Sequence, residues 1–442
     1  MGATLAARPE RSIRAAGPMT GPADGAAGDP VPRTWRRLDL AILGAGLLAA
    51  AAVRLALLPT EGMRGDLDLF ISWTHELATD VPLGHAYDLE LTFGPVMAYL
   101  FRLIGLLVPA FQVPTDATDP VAAAAVKLPA SAADLALAVL VAWALRDRPR
   151  YAIAAALGIA LVPVTWYVSS WWGQFEAIYA LFGLLAALLA VRGHWALGGI
   201  ALGLALATKP QAIPFVVPFA AYALARLGPR RALIPAAVTA ATLIVAWIPF
   251  IPNGGPAAYL ATIGGFQDGD FAVLSLRAWN PWWTLQSLAV GDWLLSDAGP
   301  ILGPLTPRVV GYLAAGLGLL AVFLLVLRNP TPRGLFLGLA ASVLVAFCLL
   351  TTMHERYSFA AVVFLALLLA DRRPAAAWIV LAVAVSVNLV AARPPTGLPG
   401  SWIPVGGLVG VAGSLAITGV GIAVVAMLAA ESRSARRRYQ RG

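Results

Sequence analysis

The chain has 442 residues, of which 60% are hydrophobic and only 12% charged, with a formal net charge of +8. So apolar a composition excludes an ordinary soluble domain. One cysteine, Cys348 inside an apolar run, excludes an intrachain disulfide and a cysteine metal cluster, and basic residues scattered among loops speak against a nucleic-acid partner.

Residues 1–37 are rich in Pro, Gly, Ala and Arg and contain no apolar stretch. They cannot bury a core, and a disordered cytoplasmic tail is expected there. They also lack the apolar centre of a cleaved signal peptide, so the first span is expected to stay as an anchor. Beyond them, apolar runs long enough to cross about 30 Å of hydrocarbon recur to the end of the chain. The reading is an all-α, polytopic transmembrane domain over 38–430, followed by a basic cytoplasmic tail at 431–442. About twelve spans (11–13) are expected: 39–58, 128–145, 151–169, 175–191, 195–208, 210–225, 232–250, 309–327, 334–350, 357–370, 375–391 and 405–430.

The segment "FGPVMAYLFRLIGLLVPAF" (93–111) carries a central Arg102 and is expected to lie at the outer interface rather than cross. Both termini then fall inside, with most of the Lys and Arg on their side, as the positive-inside rule demands. Were 93–111 a span, "RDRPR" (146–150) would move outside. Two outer loops, about 59–127 and 251–308, are long enough to carry function and interfacial helices. Trp73, Trp279, Trp282, Trp283 and Trp293 point to ordered packing within them.

The same topology gathers five polar segments at the outer face. "GDLDLF" offers Asp66 and Asp68, which could hold a divalent cation through carboxylate oxygens, supply a general base, or be ordinary loop acids. "WWGQFEAIY" sets Gln174 and Glu176 at the end of an otherwise apolar helix, after two tryptophans of aromatic-belt character. "TKPQ" puts Lys209 and Gln211 where basic residues are scarce. A cation at the mouth of a membrane cavity suits a phosphate, although a lysine there can simply snorkel. "RAWNPWW" contributes Asn280. In "HERY", Arg356 can fork two hydrogen bonds onto a phosphate, His354 can donate a third, Glu355 can orient them and Tyr357 follows. His75, His85 and His194 have no ligand-like spacing. Asp134, two turns after Lys127 within a span, is expected to face protein in a structural role.

Taken together, "GDLDLFISW", "YDLELTFGPVMAYL", "KLPASAADL", "WWGQFEAIYAL", "ATKPQAIPFVVP", "NPWW" and "HERYSFAAVVFLALLL" resemble, in order and spacing, the GT-C superfamily of membrane glycosyltransferases. The nearest likeness is to bacterial relatives of the mannosyltransferase that adds the second mannose in GPI-anchor assembly. The chain departs from that group at Phe93-Gly94-Pro95, where a tyrosine and a double proline are usual, and at Glu176, where Asp is commoner. The resemblance implies a polyprenyl-phosphate-linked sugar donor, mannose foremost, and inverting transfer to a glycan or glycolipid acceptor on the extracytoplasmic face of the cell membrane. Asp66 would be the catalytic base, with Lys209, His354 and Arg356 on the donor phosphate. Asp68, Trp73, Gln174, Glu176, Gln211, Asn280, Glu355 and Tyr357 would bind substrate or support those groups. No cofactor is required where three donors meet the phosphate, while Asp66 and Asp68 leave room for a divalent cation. The alternatives are a transporter or flippase of a lipid-linked or anionic substrate, and a non-catalytic assembly factor.

Overall fold

A computed structural model describes residues 34–441, apart from 270, 292, 302 and 396–401. The expected N-terminal tail therefore lies almost wholly outside the described residues. The chain opens with α1 (Arg37–Leu57), α2 (Arg64–Thr79), α3 (Pro95–Leu107), α4 (Pro120–Ala144) and α5 (Pro149–Leu161). A short α6 (Pro163–Trp166) runs into a π-helical turn, Tyr167–Trp172, before α7 (Glu176–Val191), α8 (Trp195–Thr208), α9 (Ile213–Leu227) and α10 (Pro229–Trp247). Then follow α11 (Gly255–Asp268), α12 (Pro281–Val290), α13 (Pro307–Arg328), α14 (Pro332–Leu349), α15 (Phe359–Ala366), α16 (Arg372–Ala392) and α17 (Gly407–Arg441). Among the described residues the only sheet is one parallel pair, β1 (Ser275–Leu276) with β2 (Met353–His354).

Local chemistry marks the helix starts. Proline occupies the first turn of α3, α4, α5, α10, α12, α13 and α14, where its missing N–H has no helical acceptor to lose. Asp119, Asn280, Thr306 and Thr331 cap four of them by accepting hydrogen bonds from the first free amides.

Eight segments are long and apolar enough to cross a membrane: Arg37–Leu57, Pro120–Ala144, Pro149–Trp172, Pro229–Asn253, Pro307–Arg328, Pro332–Leu349, Arg372–Ala392 and Gly407–Ser434. The chain is an all-α, membrane-embedded protein. The other four expected spans coincide with shorter helices: α7, α8, α9 and α15 have 16, 14, 15 and 8 residues. At 1.5 Å per residue they reach only about 12–24 Å, short of the hydrocarbon thickness. Segment 93–111 forms the 13-residue α3, also too short to cross by itself. It packs on α2, and Arg102 donates to the carbonyls of Leu77 and Val81 at the end of that helix.

Burial sorts the helices into a rim and a centre. Only 11% of the apolar window is buried in α1 and in α10, against 83% in α14. Leu48, Ile244 and Leu317 stand exposed on rim helices, as expected of side chains facing lipid. At the centre, α15 is buried along its whole length and packs on α14, α7 and α16. Small residues bring backbones close: a Cβ on Gly199 of α8 would come within 2.7 Å of the Pro235 carbonyl on α10. An ion pair, Arg54 to Asp134 at 3.2 Å, is sealed between α1 and α4, and Arg54 also donates to Thr165 Oγ1 at 3.1 Å.

Candidate functional site

Four separate elements deliver charge to one place. Asp66 sits in the first turn of α2, where the helix dipole favours a carboxylate. Its Oδ2 accepts from Trp172 Nε1 at 2.8 Å and from Gln174 Nε2 at 2.6 Å. Both donors depend on the π-helical turn and on Gly173, whose φ of +92° closes that turn. A side chain there would be strained by the backbone and would press on Leu67 at 3.2 Å.

Gln174 carries the network onward. Lys209 can only donate, so the amide oxygen faces Lys209 Nζ, 3.2 Å away, and the amide nitrogen faces Asp66. Lys209 lies between α8 and the 3-10 turn Pro210–Ala212, in the extended conformation that the following proline enforces. Its ammonium also meets Glu176 Oε1 at 2.6 Å and stands over the Phe93 and Tyr357 rings, 5.3 and 5.7 Å from their centroids.

Glu176, fully buried at the start of α7, takes a second cation on the same oxygen: Arg356 Nε lies 3.2 Å away. Glu176 Oε2 is buried with no hydrogen-bond partner. Arg356 reaches Glu355 Oε1 and His354 Nδ1 through Nη1, each at 3.3 Å, and its guanidinium lies 4.8 Å from the Trp172 ring centroid. Asp66, Gln174, Lys209, Glu176 and Arg356 thus form one continuous chain.

The strand pair fixes the Arg356 loop. β2 pairs with β1, and Arg277 bridges to His354 just beyond it. Arg277 and Thr352 both have φ in the left-handed region, at 61° and 63°. For residues with a side chain this costs on the order of 1–3 kcal/mol each, strain that clusters at functional sites.

Burial alters the proton affinities. It pushes the Lys209 ammonium down to about 8, against the pull of Glu176. His354 is driven well below its ordinary value, first by burial, then by Arg356, Lys209 and Arg393, so its imidazole is neutral near pH 7. Of the three donors expected on the phosphate, His354 is therefore the neutral one. Glu355 is raised by burial, with Arg356 and Arg393 pulling the other way.

Several expected site residues sit elsewhere. Asp68 points away from Asp66, as two positions on a helix must, about 200° around the axis. It accepts from the Ala117 amide at 2.8 Å and pairs with Arg64 at 3.7 Å. The two carboxylates thus have different partners, and among the described residues no group of three or more His, Cys, Asp and Glu could hold a metal. Trp73 is buried against Phe70, Phe93 and Phe101 and donates to the Leu89 carbonyl. Asn280 caps α12, accepting from the Trp283 amide and donating to the Phe347 carbonyl, both at 3.0 Å. Gln211 stays outside the chain of contacts, its Oε1 buried without a partner. Tyr357 is present, its ring 4.9 Å from that of His354.

Three groups at the site were not among the expected ones. Trp172 holds Asp66 instead of joining an aromatic belt. Arg277 bridges to His354 through its backbone, and the charge of Arg393 adds to the field that disfavours protonation of that imidazole. Fold and site together define a membrane-embedded helical protein with a buried network of acidic and basic side chains. No protein-family model and no curated protein matches the chain.

Proposed function

We propose that the chain is a polyprenyl-phosphate-sugar-dependent glycosyltransferase, with mannosyl transfer as the leading reaction, acting with inversion on a glycan or glycolipid acceptor at the extracytoplasmic face. The reading draws on the GT-C-like motifs, and one observation carries it: Gln174 bonds both the acid Asp66 and the cation Lys209. An acid and cations linked in this way can act at the two ends of one displacement.

In that displacement the acceptor hydroxyl oxygen bonds to the anomeric carbon while the bond from that carbon to the phosphate oxygen breaks. The acceptor proton passes to Asp66, and the electron pair of the broken bond stays on the lipid phosphate. Asp66 Oδ2 is occupied by Trp172 and Gln174, which leaves Oδ1 as the basic atom. Lys209 and Arg356, shielded from water, meet the charge that grows on the phosphate, and such stabilisation counts most where water is excluded. Neutral His354 would donate one hydrogen bond.

Asp66→Asn keeps the shape and removes the base. We expect turnover with a mannosyl-lipid donor to fall about 10²–10⁴-fold. Undiminished turnover would overturn the assignment. The transport reading draws on the Arg54–Asp134 pair inside the spans. Sugar transfer by detergent-solubilised protein, where no second compartment exists, separates the two.

A further inference from the structure

Asp297 is a fully buried carboxylate that the proposed reaction does not use. It lies between α12 and α13, 54 positions before Thr351. Arg308, in the first turn of α13, forks onto it. Its Nε donates to Oδ2 at 3.0 Å and its Nη2 to Oδ1 at 2.8 Å. The Arg308 amide also donates to the Asp297 carbonyl at 3.1 Å, and Nη1 pairs with the exposed Asp268 at the end of α11.

On its other side Asp297 grips the segment that leads into "HERY". Thr351 Oγ1 donates to Oδ2 at 2.6 Å, and Thr352 Oγ1 faces the same oxygen at 3.3 Å. The backbone repeats the link. The Thr352 amide donates to the Val273 and Leu274 carbonyls at 3.1 and 3.2 Å, the Leu274 amide to the Leu295 carbonyl at 2.8 Å, and the Asp297 amide to the Ala272 carbonyl at 3.2 Å. Segments 272–276, 295–297 and 351–354 are thus laced together. Thr352 needs such support, because its φ of 63° is a genuine outlier for a β-branched residue. His354 and Arg356 follow two and four residues later, before α15 begins at Phe359.

We infer that Asp297 is a positioning residue: it locks Thr351 and Thr352, and through them holds the "HERY" loop so that Arg356 stays against Glu176. The effect on turnover rests on the transferase reading above; the hold on the loop does not. Only a carboxylate suits the place. Arg308 Nε and Nη2 and both threonine hydroxyls all donate to it, and an ionised aspartate accepts on both oxygens. An asparagine would turn an N–H towards one of those donors.

The test compares Thr351→Val, which keeps the shape and removes the hydroxyl, with Thr351→Ser, which keeps the hydroxyl. Both are made in the full-length protein in phosphatidylcholine nanodiscs. Amides of 352–357 in Thr351→Val should exchange with deuterium at least about tenfold faster than in the wild type, while those of 64–79 keep their rate. Thr351→Ser should match the wild type in both. With a mannosyl-lipid donor, Thr351→Val should lower kcat about tenfold and change KM less than about twofold, because a displaced Arg356 is missed as charge develops. Asp297→Asn should show the same pattern more strongly, and adding Thr351→Val to it should change little further. Unchanged exchange over 352–357 in Thr351→Val overturns the inference. So does an equal loss in Thr351→Ser, or faster exchange throughout the molecule, which would mark a general loss of stability. A wild type that transfers no sugar would sink the transferase reading alone, because the exchange comparison still decides whether Asp297 holds the loop.

Discussion

Glu176 governs the two cations nearest the proposed chemistry, because a single oxygen accepts from Lys209 and forms an ion pair with Arg356. Lys209 titrates within reach of experiment. Its ammonium exists below about pH 8 and is lost as the pH rises through that value. Transfer should therefore decline on the alkaline side, and Lys209→Arg should move that limb upward; an unmoved limb would separate Lys209 from the reaction. Lys209→Met should lower turnover about 10²–10³-fold. His354 has the opposite consequence, and for stability. Below about pH 6.5 an unfolded imidazole takes up a proton that the buried one refuses, so stability falls with acid. His354→Gln should flatten the acid side of a thermal-unfolding profile, and an unchanged slope would mean that other groups set it.

Among the elements, the π-helical turn before Gly173 does the most for the site, since it turns Trp172 and Gln174 together onto Asp66. Gly173→Ala forces a side chain onto a φ of +92° and should destabilise by about 1 kcal/mol or more. It should also cut turnover beyond what that loss of stability explains; normal turnover in a folded variant would show that the turn is not needed. The sequence made the helices legible because apolar runs and opening prolines mark their ends. It did not make the π turn legible, because one extra residue in a turn leaves no periodic signature in "YVSSWWGQ". For the same reason of local geometry Asp68 looked like a partner of Asp66. Only the knowledge that α2 already begins at Arg64, before both acids, turns the pair apart.

Across the whole molecule, the sealed pair of Arg54 and Asp134 ties α1 to α4. Asp134→Asn strands a buried guanidinium and should cost about 3–5 kcal/mol, seen as a lower unfolding temperature in detergent, whereas Arg54→Leu with Asp134→Leu should cost less. The sequence placed Asp134 against protein but could not name its partner, 80 positions earlier in the chain. Arg277 and Arg393 were hidden by the same long separation from "HERY". The converging segments were legible since each carried charge at the end of an apolar run.

The two walls of the site are not equally free to move. Arg356 is slung between α14 and α15, the most enclosed parts of the bundle, while Asp66 rises from the half-open α2. Breathing that admits an acceptor and lets a product leave should then belong to the aspartate's wall, against a stationary arginine. Hydrogen–deuterium exchange offers the gauge: amides of 64–79 should exchange sooner than those of 359–366.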